Sequence, residues 1–413
     1  MPGFTNLLTP QEAKERYARA YTPRPAGTES VPLAEAFGRV LAQDARAAED
    51  LPPFDRSTVD GFAARSADVS AAGPESPAAL RLAGEVQMGE TAPVAVGPGE
   101  TVRVPTGGML PEGADAVVML EDVDERDGRI AVRRAARRGD NVIRQAEDVR
   151  RGEVALRAGA RLRPQDVGLL AAIGVTAVPV FVRPRVAIVA TGDEVVPADR
   201  TPVGGQVRDV NTYTLAALVR QEGGLPHVVG IVEDVYDVLL GVLRNAHRDA
   251  DLVLVSGGSS VGAKDAVARA IGELGRPGVI VHGVSIKPGK PTILAVVDGT
   301  PIIGLPGHPV SGMVIFDVFV RDVLRGLTGR VDARPFGRVV RARLAEPIPS
   351  AGVREDHVRV FLEQRDGTVA AVPVLGKSGI ITTMTRADGV VVVPIGRRQL
   401  DAGADVDVHL FEP

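Results

Sequence analysis

The sequence predicts a multidomain α/β plus β protein. A doubly wound α/β domain is expected over 183–330, with a small β insert domain over 51–150. A discontinuous linker domain would be made of 1–50 and 151–182, and a C-terminal β-barrel-like domain of 331–413. Three observations predict this. From Pro184, short apolar runs rich in Val, Ile and Leu alternate with helical patterns, which is what a mainly parallel sheet covered on both faces requires. Between Leu51 and Arg150 the texture changes to short β-rich runs broken by GPGE, PTGG and PEGAD, which is all-β turn chemistry. The stretch Val331–Pro413 is again strand-rich with turn residues, so a further β domain is expected there.

Taken in order, Thr9-Pro10 followed by QEAKERYARAY reads as a capped helix with Pro at its first position. Val31–Asp44 is a second amphipathic segment. Leu82–Val123 holds several candidate strands. Pro164-Gln165-Asp166 starts a helix to about Ile173, in a segment expected to pack against the N-terminal part. In the α/β domain, strands are expected at 186–190, 227–232, 252–256, 279–286, 292–297 and 301–305. Helices are expected at 211–221, 236–247, 265–274 and 310–327, the last closed by Thr328-Gly329.

Composition narrows the function. The 413 residues suggest about two to four domains, and 45% hydrophobic with 24% charged residues is globular. A net charge of −4 with no basic stripe argues against a nucleic-acid partner. No apolar run reaches the roughly 18–20 residues of a membrane span, and the N-terminus lacks a basic start with an apolar core, so a cytoplasmic location is expected. The chain has no cysteine, which excludes disulfides, thiol nucleophiles and thiolate metal sites. Only five of the 48 basic residues are lysine, yet two fall in the pentapeptide KPGKP (287–291). A compact ammonium there suits a phosphate-sized anion.

In an open α/β sheet, ligands bind outside the carboxyl ends of the strands. One such end carries TGDE (191–194), which also reads as a Gly-Asp turn; another carries Glu233-Asp234, which also reads as a helix cap. A third carries SGGSSVGAKD (256–265). Ser256, Gly257, Gly258, Ser260 and Gly262 there offer N–H and hydroxyl groups to an anion ahead of a helix, and Asp265 could hold a metal or cap that helix. Lys287 and Lys290 project from a Pro-stiffened loop, and Pro309 suits the first turn of the last helix. Two lysines, two candidate helix N-termini and three carboxylates converging on one edge fit a divalent cation clamping a phosphorylated ligand. No GxxxxGK[ST], GxGxxG or HxxxH is present: Gly376-Lys377-Ser378 lacks the first glycine and follows Pro373.

Seven segments in order extend the pattern over nearly the whole chain: PFDRSTVDGFA (53–63), PTGGMLPEGADAVV (105–118), TGDE, GIVED (230–234), SGGSSVGAKD, KPGKP and LPGHPVS (305–311). Together they resemble the molybdopterin molybdenumtransferases, the MoeA and gephyrin E-domain family of molybdenum cofactor synthesis. The resemblance implies a MogA-like molybdopterin-binding domain within a four-domain, elongated homodimer with an intersubunit active site. It implies molybdate and adenylylated molybdopterin as substrates, release of AMP, Mg2+ or a similar divalent cation, and transient contact with other molybdopterin-pathway proteins. By motif match, Asp60, Asp148, Glu194, Asp234 and Asp265 are the functional carboxylates, with Glu194, Asp234 and Asp265 on metal. Lys287, Lys290, Pro306, Pro309 and Ser311 match the molybdate and pterin loops. Arg354 and Ser378 match in the last domain, which the resemblance assigns to the partner subunit's cleft. The chain departs from the family at Val59 (usually Met), Ala146 (usually Gly), Ser259 (usually hydrophobic) and His308 (usually Asn). Two other readings compete. One is a molybdopterin adenylyltransferase consuming ATP, which would lack the flanking β domains; the other is a scaffold on the same fold.

Overall fold

A computed structural model describes residues 7–257, 261–331, 339–365 and 367–411. The central α/β unit holds a six-stranded sheet. Its spatial order is Leu225–Val232, Arg185–Thr191, Leu252–Gly257, Thr300–Leu305, Ile293–Val297, Pro277–His282. The first four run parallel and the remaining pairings are antiparallel. Successive side chains of a strand point to opposite faces, and the two cores divide accordingly. Val186, Ile188, Leu252 and Leu254 face the helix Asn211–Gln221 and the long C-terminal helical segment. Ala187, Val189, Val253 and Val255 face Tyr236–Asp249 and Val261–Leu274.

The helix Pro10–Ala20 joins the first of these cores through Ala13 and Tyr17. Its capping box is complete, with Thr9 and Glu12 bonding each other's backbone N–H. The last helical segment starts at Pro309, runs through a π-turn at Phe316–Val320 and ends at Leu327. Buried Glu222 pins its far end by accepting from Arg321, Arg325 and Arg330.

Residues 31–47 and 149–180 share one core, including Val31, Leu41, Leu162, Leu170 and Val180. The chain between them forms a second six-stranded sheet with apolar clusters on both sides. At the C-terminus the strands Val339–Leu344, Glu355–Arg365, Thr368–Pro373, Gly389–Val393 and Asp405–Leu410 pair in a closed ring, because Glu355–Arg365 bonds both Thr368–Pro373 and Gly389–Val393. Closure leaves a barrel without free edges around Leu344, Val360, Ala371 and Val408.

Three elements differ from the sequence expectations. The amphipathic stretch at 31–44 is the end of strand Thr28–Pro32, a 3-10 turn at Leu33–Glu35 and extended chain. The helix expected from Asp265 begins at Val261, so Asp265 lies inside it rather than capping it, and Gly262 is helical. The run 279–286 is not one strand. It breaks after His282, and Ile286–Lys287 pairs in parallel with Glu355–Asp356 of the barrel.

Candidate functional site: an oxyanion cleft and an acidic corner on one sheet edge

The parallel strands place four loops at one edge of the sheet. The order reverses between Arg185–Thr191 and Leu252–Gly257, the crevice where ligands settle in such sheets. The backbone is tight at this switch point. Gly257 has φ +150°, and a Cβ on it would stand 2.1 Å from the Thr191 carbonyl oxygen, so only glycine fits. Buried Ser256 precedes it, and Nδ2 of Asn211 donates to Ser256 Oγ at 2.7 Å and to the Gly307 carbonyl at 2.9 Å. Asn211 thereby ties the third strand end to the PGHP turn. Gly258 and Ser260 lie outside the described residues.

Beyond that turn opens a cleft of about 1050 Å³ between the α/β unit and the barrel. Lys287, Lys290, Pro306 and Ser311 line one wall; Arg354, Arg359, Lys377 and Ser378 line the other. Pro309 sits at the first position of the helix between them, where its missing N–H costs nothing. The barrel is held there by this same chain. Besides the Ile286–Lys287 pairing, Ser285 Oγ donates to the Val353 carbonyl at 3.1 Å. Lys287 Nζ lies 3.3 Å from Oδ2 of Asp356, and the Val310 N–H donates to the Ser378 carbonyl at 3.2 Å. Arg354 and Ser378, expected in a partner's cleft, thus line a cleft of their own chain.

Five cationic side chains meet one carboxylate in this cleft, so its potential is positive. Asp356 is almost wholly buried against half-exposed Lys287; it fixes the ammonium while leaving part of it open to the cleft. Arg359 is 6% exposed and donates from Nη2 to the Gly376 carbonyl at 2.8 Å. Burial pushes its guanidinium below its ordinary value.

At the other end of the edge, TGDE and Glu233-Asp234 form an acidic corner. Asp193 Oδ1 accepts from the Asp234 N–H at 3.0 Å. Desolvation first, and then the charges of Asp193 and Glu194, hold the Asp234 carboxyl above the usual carboxylate range. The donor chemistry fits a hard divalent cation, since all three groups are oxygen ligands. Asp265 is exposed on its helix. Among the described residues, no group of three or more acidic or histidine side chains is gathered to hold an ion alone. Bound substrate oxygens would have to complete a shell, as is usual for Mg2+.

Asp60 and Asp148 are exposed on the insert unit and do not line the cleft. Asp60 Oδ1 accepts from the Thr106 N–H at 2.7 Å, joining the STVDG and PTGG segments. Sequence reasoning did not single out Asp193, Asn211, Asp356 or Arg359. Only Asp193 left a signal, as the second carboxylate of TGDE; the others act through contacts between distant segments. No helix among the described residues is long and apolar enough to cross a membrane.

Comparison with known proteins agrees along the whole chain. Residues 8–174 match the MoeA N-terminal region (domain I and II), 187–326 a probable molybdopterin binding domain, and 341–411 the MoeA C-terminal region (domain IV). The molybdopterin molybdenumtransferase of Bacillus subtilis is 32% identical over 389 residues, covering 93% of this chain and 90% of that one. Molybdopterin molybdenumtransferase 1 of Mycobacterium tuberculosis H37Rv is 35% identical, covering 95% and 96%. A crystal structure of a molybdopterin biosynthesis MoeA protein from Pyrococcus horikoshii OT3 superposes with TM-score 0.84 at 32% identity, over 98% of this chain and all of that one. The chain belongs to the MoeA family, the molybdopterin molybdenumtransferases.

Proposed function

We propose that this protein inserts molybdenum from molybdate into adenylylated molybdopterin and releases AMP. The observation that carries the reading is the lysine-lined cleft at the sheet's carboxyl edge, opposite in charge to the acidic corner beside it. Molybdate is a tetrahedral dianion, and Lys287, Lys290 and Arg354 supply point charges and donors for it. Ser311, in the first turn of its helix, adds a hydroxyl where the helix dipole favours negative charge. Glu194 and Asp234, with Asp265 further along the edge, would hold Mg2+ or a similar cation. Such a cation would supply charge neutralisation to the phosphoanhydride, easing the addition of water to phosphorus as the bridging P–O bond breaks and AMP leaves. The chain's own work is to orient the pterin dithiolene against the oxyanion and to keep two anionic substrates side by side.

Asp60 and Asp148 fit this scheme as contributions from a second copy, giving a homodimer with an intersubunit site. Co-expressing Asp60→Asn and Lys287→Ala chains, each inactive alone, should restore up to about a quarter of wild-type activity, the share of clefts that random pairing leaves intact. No recovery would overturn the intersubunit arrangement, since residues serving one chain's own cleft cannot complement across a dimer. The reading as a whole is tested by product analysis: AMP should appear from adenylylated molybdopterin only when molybdate is added. Consumption of ATP instead would identify an adenylyltransferase.

A further inference from the structure

One contact across the cleft involves a side chain to which the reading above gives no task. His308 is the residue before the helix that starts at Pro309, and it is exposed on the cleft wall. Its Nδ1 lies 2.9 Å from Oγ of Ser378, on the loop that the barrel extends over the cleft. That loop is held at two further points, by the Val310 N–H on the Ser378 carbonyl and by Arg359 on the Gly376 carbonyl. The ring also packs beside Gly379, where an added Cβ would stand 3.8 Å from His308 Cδ2. The loop backbone is therefore fixed, and the remaining freedom at Ser378 is the direction of its hydroxyl proton.

That direction depends on the imidazole. A serine hydroxyl has one proton and two lone pairs. If the hydroxyl donates to Nδ1, it has no proton left for an anion in the cleft. If Nδ1 carries the proton and donates to Oγ, the hydroxyl proton turns away from the ring and can point at an oxyanion. An oxyanion accepts and never donates, so its arrival selects the second arrangement. We propose that His308 is a positioning residue of the oxyanion subsite, donating from Nδ1 to Ser378 Oγ so that the Ser378 hydroxyl donates to the bound oxyanion. The inference rests on the reading of this cleft as the molybdate site. An asparagine here would serve the same purpose, because its amide N–H is a permanent donor of similar reach.

The test is molybdate titration by calorimetry on five full-length proteins: wild type, Ser378→Ala, His308→Ala, the double variant and His308→Asn. Losing a hydrogen bond to a charged ligand should weaken binding about tenfold in Ser378→Ala. His308→Ala should lose part of that factor, because the hydroxyl stays but is no longer oriented, and the double variant should bind no more weakly than Ser378→Ala, because His308 acts only through that hydroxyl. His308→Asn should recover affinity to within about threefold of wild type. Losses that multiply in the double variant, wild-type binding by His308→Ala, or an Asn variant as weak as the Ala variant would each overturn the inference. Wild-type protein that fails to bind molybdate would remove the cleft reading and this inference together.

Discussion

The two ends of the sheet's carboxyl edge are built from similar loops yet carry opposite charge. At one end Asp193, Glu194 and Asp234 lie close together, and Asp234 is held above its usual range by partial desolvation and by its neighbours' charges. At the other, lysines and arginines surround a single carboxylate, Asp356. The acidic corner is formed by two adjacent strands of the α/β sheet alone. The basic cleft needs a second unit, and a two-residue strand, Ile286–Lys287, grafts the barrel onto it. Each charge type is concentrated at its own end, and on the proposed reading this separation would let one protein hold a cation and an oxyanion without their sites neutralising each other, with substrates spanning the gap.

The largest expected effect falls on the basic end. Lys287→Ala should weaken molybdate binding by about ten- to hundredfold, given the loss of a charge-assisted contact. It should also lower thermal stability, because Asp356 is left buried without its cation. Divalent-cation affinity should be unchanged in the same protein, measured by calorimetry with Mg2+ or Mn2+. Asp234→Asn should do the reverse, lowering cation affinity roughly tenfold while molybdate binding stays near wild type. If either variant moved both affinities equally, the two ends would not be separate sites.

Asp193→Asn should have a smaller effect of definite sign. Folding raises the Asp234 pKa, so the ionised carboxylate is disfavoured in the native state. That cost is absent while Asp234 is protonated, and is fully felt once pH exceeds the folded-state pKa. Removing the Asp193 charge should raise the Tm of cation-free protein at neutral pH by at most about one degree, since solvent screens the exposed Asp234, and the gain should vanish as pH falls below the carboxylate range. The amide oxygen can still accept from the Asp234 N–H, so geometry is retained. The last variant is a control in the insert unit. Ala146 has φ +60°, a left-handed conformation that glycine adopts freely. Ala146→Gly should stabilise the insert by up to about 1 kcal/mol, seen by urea titration, with both ion affinities unmoved.

Much of the fold was legible where the physics is local. Strands 185–191 and 252–257 are apolar runs buried on both faces, and the helix Asn211–Gln221 has clear boundaries. Locality also explains the misreadings. Gly262 looked like loop chemistry, but helical contacts on the sheet face outweigh one glycine. The apolar spacing of 279–286 gives no hint that the chain changes sheets at Gly283, because the pairing partner lies about seventy residues away. At the site, the strand-end loops could be read from glycine, lysine and carboxylate content. What orients them could not: Asp356 under Lys287, Asn211 bridging Ser256 to Gly307, and Ser378 against His308 are contacts between distant segments. The Ala146 departure was visible as a letter, but its backbone consequence appears only with φ.

Locating molybdenum by anomalous diffraction in crystals soaked with molybdate and Mn2+ tests the division of the edge most directly. The account predicts molybdenum in the barrel-bordered cleft, within hydrogen-bonding reach of Lys287 and Ser311, and manganese against Glu194 and Asp234. Molybdenum at the acidic corner, or manganese in the lysine cleft, would contradict it.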